Sequence, residues 1–191
     1  MALEVLSHYS DKNLKYDGSQ LRSLFGYTEF GIEGDSVCGW RGPCNVRLDH
    51  MVDSEDKVQG LSIESDEMLH VIVELFHWQI HGGVVVQRLL SEQVKTLLLE
   101  LTNESYTDFE RRGDDLYFKQ GKLNVSIATS STHSVLIHYG INVTNKGTPI
   151  KTSSLEDFKV DVDSFAKKLL VNMSAELTSI ERATRKVFGV N

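Results

Sequence analysis

From Val84 to Leu101 the apolar residues recur on a helical period. Val86, Leu90, Val94, Leu97 and Leu101 form a stripe that Leu89 and Leu98 widen, while Gln87, Arg88, Glu92, Gln93 and Lys95 cover the outer side. Such a stripe has to lie against a sheet or another helix. Just before it, Leu69 to Ile80 is rich in Val, Ile, Phe and Trp. On a two-residue period Val71, Val73, Leu75 and His77 share one face and Ile72, Phe76 and Trp78 fall largely on the other, as in a strand buried on both sides.

The remaining elements follow from weaker patterns. Leu3, Val5, Leu6 and Leu14 supply a short strand or edge element, and Leu21, Leu24 and Phe25 suggest one or two helical turns ending at Gly26. Leu116 to Phe118 reads as a strand, Lys119-Gln120-Gly121 as a turn with the glycine at the left-handed angle, and Leu123 to Ala128 as the return strand. Val135 to Val143 forms a third strand, in which Gly140 marks a close approach to backbone. Ser154-Leu155-Glu156-Asp157 starts a short capped helix. A long amphipathic helix over about 163–188, with a break near Asn172 as an option, closes the chain. No repeat or linker divides it, so residues 1–191 are expected to form one domain.

Composition narrows the function classes. With 40% apolar and 25% charged residues the chain is expected to fold, and a net charge of -7 without a basic block argues against nucleic acid as a partner. No stretch approaches a membrane-spanning length and no basic-then-apolar leader opens the chain, so a cytoplasmic protein is expected and no membrane partner. In that compartment Cys38 and Cys44 are unlinked thiols, too few for a cysteine-only zinc site. His77 and His81 have the spacing of helical zinc ligands but lie in a β-rich run, which favours core or rim histidines.

Polar specialisation concentrates in three places. Arg111-Arg112-Gly113-Asp114-Asp115 leads into the central hairpin, with Lys122 after its turn. Phe30 to Arg47 is punctuated by glycines among Asp35, Cys38, Arg41, Cys44 and Arg47, which suits a binding loop or a tight hairpin around Arg41-Gly42-Pro43. His50 to Lys57 is a connector with three carboxylates, either a surface run or a Mg²⁺ site shared with phosphate.

Gly113-Asp114-Asp115-Leu116-Tyr117, the turn to Gly121-Lys122-Leu123, and Tyr139-Gly140-Ile141-Asn142-Val143 resemble the core of the biotin and lipoate protein ligases, relatives of the class II aminoacyl-tRNA synthetases. The whole chain more closely resembles an archaeal family of uncharacterised proteins, marked by Gly34-Asp35-Ser36, Arg41-Gly42-Pro43-Cys44, Met51-Val52-Asp53 and Gln87-Arg88-Leu89-Leu90. The resemblance implies an α+β fold, a mixed and largely antiparallel sheet packed against helices, with a small-acid and adenylate pocket on its open face.

It further implies ATP and Mg²⁺ as cofactors, with a small carboxylic acid and an acceptor protein as partners. Lys122 falls where the ligases' lysine contacts carboxylate and phosphate, with Asp115 beside it as a second catalytic candidate. Asp114 and Asp115 are the metal candidates. Asp35, Arg41, Arg47, Arg112, Asp114, Gly140 and Asn142 are the cofactor-binding candidates. Two departures stand out: Arg112-Gly113 replaces the Trp-Pro of biotin ligases, and the arginine- and glycine-rich adenylate loop is represented at most by Gly39 to Arg47. Cys44 opens acyl transfer through a thiol without ATP. Each candidate also has a structural reading: Lys122 as a solvated residue, Asp115 as a partner of Arg111 or Arg112, Cys44 as a small buried hydrophobe. A non-catalytic binding or regulatory module, or a homodimeric partner-binding protein, stays open beside the enzyme.

Overall fold

The computed structural model describes residues 4–60 and 62–190. Five strands make the main sheet: β1 (Leu6–Ser10), β2 (Ser36–Val46), β3 (Ile63–Phe76), β7 (Asn124–Ser130) and β8 (Ser134–Asn142), in the order β1-β2-β3-β8-β7. Only β1 and β2 run parallel; the other pairs are antiparallel. A three-stranded ribbon, β4 (Phe109–Arg112), β5 (Asp115–Phe118) and β6 (Gly121–Lys122), feeds through Leu123 into β7. The fold is therefore α+β with a mixed, largely antiparallel sheet.

Alternation along the strands divides the interior in two. Val71, Val73 and Leu75 of β3 and Val135, Ile137, Tyr139 and Ile141 of β8 face two long helices, α3 (Ile80–Leu101) and α5 (Val162–Thr184). Val86, Leu90, Val94, Leu97 and Leu98 supply the α3 side of that layer, and Phe165, Leu169, Leu170, Met173 and Leu177 the α5 side. The opposite, open face carries Cys38, Trp40, Cys44, Met68 and Ile72, and it is covered by Tyr16, Phe25 and Met51 from irregular or short helical segments. Those segments include α1 (Phe25–Phe30) and α2 (Ser54–Gln59); a further short helix, α4 (Leu155–Phe158), follows the sheet.

Several boundaries differ from the expectations. The stretch around Arg41-Gly42-Pro43 is neither loop nor hairpin but part of the continuous strand β2, with a register irregularity between Gly42 and Cys44. A bulge there accommodates a proline that has no N–H to donate. Gly42 is needed because the Leu14 carbonyl rests where a Cβ would stand. The first helix begins at Phe25 instead of ending at Gly26, because Leu24 has φ 61 and Gly31 closes the helix at φ 70. In the β5–β6 turn the positive φ values belong to Lys119 (44) and Gln120 (71), and Gly121 is needed because Ser153 packs against it. The final helix runs unbroken through Asn172 but stops at Thr184; Val187 and Phe188 beyond it are 72% and 98% exposed and have no surface to bury against.

Candidate functional site

The β4–β5–β6 ribbon sorts its side chains by face. Phe109, Leu116 and Phe118 enter the core, while Asp115 and Tyr117 project from the other side, with Lys122 opposite Tyr117 and Arg112 opposite Asp115. The Lys122 ammonium lies 2.9 Å from Asp115 Oδ1, and the side chains are 22% and 28% exposed. The Tyr117 hydroxyl donates to Asp115 Oδ2 at 3.4 Å. The Arg112 guanidinium sits 4.9 Å from the Tyr117 ring centre and is held by Glu110. The structure thus brings Lys122, Asp115 and Arg112 onto one face.

The backbone under Lys122 is clamped. Its N–H donates to the Lys151 carbonyl at 3.2 Å, and its carbonyl accepts from Ser153 N and Asn142 Nδ2, both at 3.1 Å. Asn142 also donates its backbone N–H to Leu123 O and reaches Ser153 O with the same side-chain amide. The asparagine is buried, so it acts here as a positioning residue for Lys122.

Asp114 turns the other way. Its carboxylate accepts from Gln87 Nε2 at 2.9 Å and from Ser126 Oγ at 2.6 Å, and its carbonyl accepts from Ser91 Oγ and Asn124 Nδ2. Asp114 lies in the turn with Gly113 before β5, whereas Asp115 is the first residue of the strand. Asp114 and Asp115 accordingly serve different partners, α3 and β7 for one and Lys122 for the other, and do not converge on a shared cation position. Among the described residues, no group of three or more His, Cys, Asp or Glu is arranged around a metal position. The acidic neighbour of Lys122 besides Asp115 is Asp56 of α2, whose carboxyl is pushed up by burial and by Asp53, against the pull of Lys122.

Asp56 also lines a cavity of about 50 Å³ on the open face, together with Tyr16, Val46, Met51, Val125 and His138. Gly140 is packed closely on the same face: a Cβ there would come within 3.0 Å of Met68 Cε, 3.2 Å of His138 Cε1 and 3.4 Å of Val125 Cγ2. Beneath the cavity His138 Nε2 and His70 Nδ1 are 3.2 Å apart, and His70 Nε2 is 3.1 Å from the Gly42 carbonyl. Tyr16 stacks on His138 with ring centres 3.7 Å apart and planes inclined by 9°. Burial keeps both imidazoles neutral, holding His70 down to about 4 and His138 well below its ordinary value, where His70 adds to the effect.

The other candidates stand elsewhere. Arg41 lies on the helix-bearing side, bound to Glu67 at 2.5 Å and to Asp163 of α5 at 3.4 Å. The Arg47 side chain is 81% exposed in the loop after β2. Asp35 is at the far end of β2, accepting from Phe76 N at 2.7 Å, with its carboxyl raised by burial. Cys44 is buried, and that burial pushes its thiol up to about 12, so the free Cys44 is a neutral thiol at pH 7. The sequence reading missed the His70–His138 pair, Tyr16 and Asn124. The signal for the histidines was there: each is a polar residue inside an otherwise apolar strand run.

A sheet with two long helices on one face and a lysine-bearing ribbon at its edge defines the class: the fold is that of the biotin and lipoate protein ligase catalytic domains. The biotin protein ligase from Aquifex aeolicus in complex with biotin and ATP matches with a TM-score of 0.61 at 18% identity, over 92% of this chain and 72% of that one. A putative lipoate protein ligase from T. acidophilum with bound lipoic acid matches with 0.56 at 14% identity, over 91% and 86%. These likenesses establish the fold.

More narrowly, the chain belongs to the family described as "Domain of unknown function (DUF366)", whose model matches residues 5–188. An uncharacterized protein of Methanocaldococcus jannaschii is 35% identical over 181 residues, covering 91% of this chain and 80% of that protein. A protein of unknown function from Pyrococcus horikoshi matches with a TM-score of 0.91 at 35% identity, over 98% and 100% of the two chains. Among the described residues no helix is long and apolar enough to cross a membrane.

Proposed function

We propose that this protein is a ligase- or transferase-like enzyme that binds a small carboxylic acid and a nucleotide on the open face of its sheet. The observation that carries the reading is the Lys122–Asp115 pair, fixed from behind by Asn142 and neighbouring Asp56 at a largely apolar cavity. A cavity of about 50 Å³ takes only the tip of an acyl tail, so in this reading the rest of the acid lies along the open face with its carboxylate toward the Lys122 ammonium. The ligase-like neighbour solved with biotin and ATP supports the same pairing of ligands.

In this reading a carboxylate oxygen attacks the α-phosphorus of ATP, the bond to the bridging oxygen breaks, and pyrophosphate leaves. Lys122 opposes the charge that develops between carboxylate and α-phosphate. A partly exposed ion pair is worth little in stability, so moving Lys122 from Asp115 to a ligand costs about 1 kcal/mol or less. Mg²⁺ would neutralise phosphate charge; Asp115 and Asp56 are the carboxylates available to it, in keeping with an ion that takes one or two carboxylates and the rest from phosphate and water. Arg112, itself held by Glu110, is the arginine on the Lys122 face, whereas Arg41 lies on the helix-bearing side with Glu67 and Asp163. An acceptor protein's nucleophile then takes the acyl group, the acyl–phosphate bond breaks and AMP leaves.

One observation favours a second reading, saturable binding without turnover: Arg41 and Arg47 do not join the Lys122 face. Exchange of labelled pyrophosphate into ATP, measured with Mg²⁺ across biotin, lipoate, octanoate and other small acids, separates the two. The enzyme reading expects exchange that needs one acid and is lost in Lys122→Ala. Saturable acid binding with no exchange would replace it by the binding module.

A further inference from the structure

The tautomers of the buried histidine pair follow from its surroundings. The Gly42 carbonyl can only accept, so the His70 Nε2 facing it at 3.1 Å carries the hydrogen. A neutral His70 then presents a lone pair at Nδ1, and His138 Nε2, 3.2 Å away, must donate to it. That leaves Nδ1 of the neutral His138 as a bare acceptor. Among the described residues no donor reaches it, and the atom is not sealed in: the one fully buried side-chain nitrogen or oxygen there without a partner is Ser154 Oγ. The same residue lines the cavity on the open face, and Tyr16 stacked on its ring fixes the plane in which the lone pair points.

Resting on the reading of this cavity as the acid-tail site, we propose that its ligand is an acid whose far end carries a hydrogen-bond donor, a hydroxyl or amide N–H, with His138 Nδ1 as the acceptor. A cavity of about 50 Å³ has room for water to satisfy that lone pair when no ligand is bound. A plain alkyl tail would displace the water and leave a buried acceptor unpaired, whereas a hydroxyl or amide restores the bond. Specificity then comes from the penalty on the wrong tail more than from extra contact with the right one.

The test pairs acids matched atom for atom, ω-hydroxyhexanoate with heptanoate and ω-hydroxyoctanoate with nonanoate, titrated calorimetrically at neutral pH without nucleotide. Wild type is expected to bind the hydroxy acid of at least one pair about tenfold more tightly, the scale of one buried acceptor left unpaired. His138→Phe should level the pair. Because a buried histidine can be needed for folding, the wild-type protein is also followed by ¹⁵N NMR. The His138 Nδ1 signal should move when the preferred hydroxy acid binds and stay in place with its methyl-ended partner. Equal affinities in wild type, or hydroxy-acid binding without movement of that signal, would overturn the proposal. Lys122→Ala reports on the parent reading separately: unchanged affinity for both members of a pair would remove the acid-site assignment, and failure of wild type to bind any of the four would remove both.

Discussion

His70 should make the protein acid-labile in a way that can be assigned to one side chain. It is fully enclosed between β2 and β8, faced by Gly42 O, His138, Tyr16 and Trp40. Its folded pKa of about 4 lies below the ordinary 6.5, so protons bind the unfolded chain more readily. Stability from this group is complete above pH 6.5 and is lost as pH falls from 6.5 toward 4. At pH 5 the unfolded imidazole is almost fully charged and the folded one almost fully neutral, which lowers stability by about 2 kcal/mol. His138 is displaced in the same direction and adds to the loss. Urea unfolding of wild type and His70→Gln at pH 7.5, 6 and 5 measures this directly, since glutamine keeps an amide donor for the Gly42 carbonyl. The wild type should lose about 2 kcal/mol more than the variant between the first and last pH. Parallel losses in the two proteins would mean that His70 is not held neutral by burial, and the tautomer assignment for His138 would fall with it.

Three further outcomes follow from the same network. Asn124, fully buried, accepts from Leu116 N at 2.7 Å and donates to Asp114 O at 3.1 Å, so Asn124→Ala should cost about 2 kcal/mol, seen as a lower urea midpoint at unchanged slope. Asp114→Ala and Asp115→Asn should behave as opposites. The first removes the part-buried oxygen that accepts from both Gln87 and Ser126 and drops stability by about 2 kcal/mol, while the second stays within about 1 kcal/mol of wild type and changes acid-dependent pyrophosphate exchange. Cys44, with its thiol pushed up to about 12, should resist an aromatic disulfide reagent until denaturant is added; rapid labelling of Cys44 in the native protein would contradict its burial.

The parts of the fold that were legible in the sequence are those with strong periodicity. The stripe from Val86 to Leu98 and the apolar run from Leu69 identify α3 and β3 because burial against the same layer dictates which positions are apolar, although Leu101 at the end of the expected stripe is exposed. The glycines of β2 misled because the same residue type serves a loop, a positive φ and a close approach. At Gly42 the reason is a carbonyl of Leu14, twenty-eight positions earlier, which no local pattern contains. The site divides the same way. Lys122, Asp115 and Arg112 are legible together because one short ribbon holds them, whereas Asp114 sits in the turn before β5 and takes its side from Gln87 of α3 and Ser126 of β7, which no local pattern contains. Arg41 looked equivalent to Arg112 as a cation, yet its place on β2 turns it toward Asp163 on a helix 122 positions away. The histidine pair was hardest to see, since His70 and His138 are 68 residues apart and each alone resembles an ordinary core histidine. Only the pairing of β3 with β8 puts their rings together. The bare acceptor at His138 therefore exists only at the level of tertiary structure, where one carbonyl on β2 sets the protonation of two rings in turn.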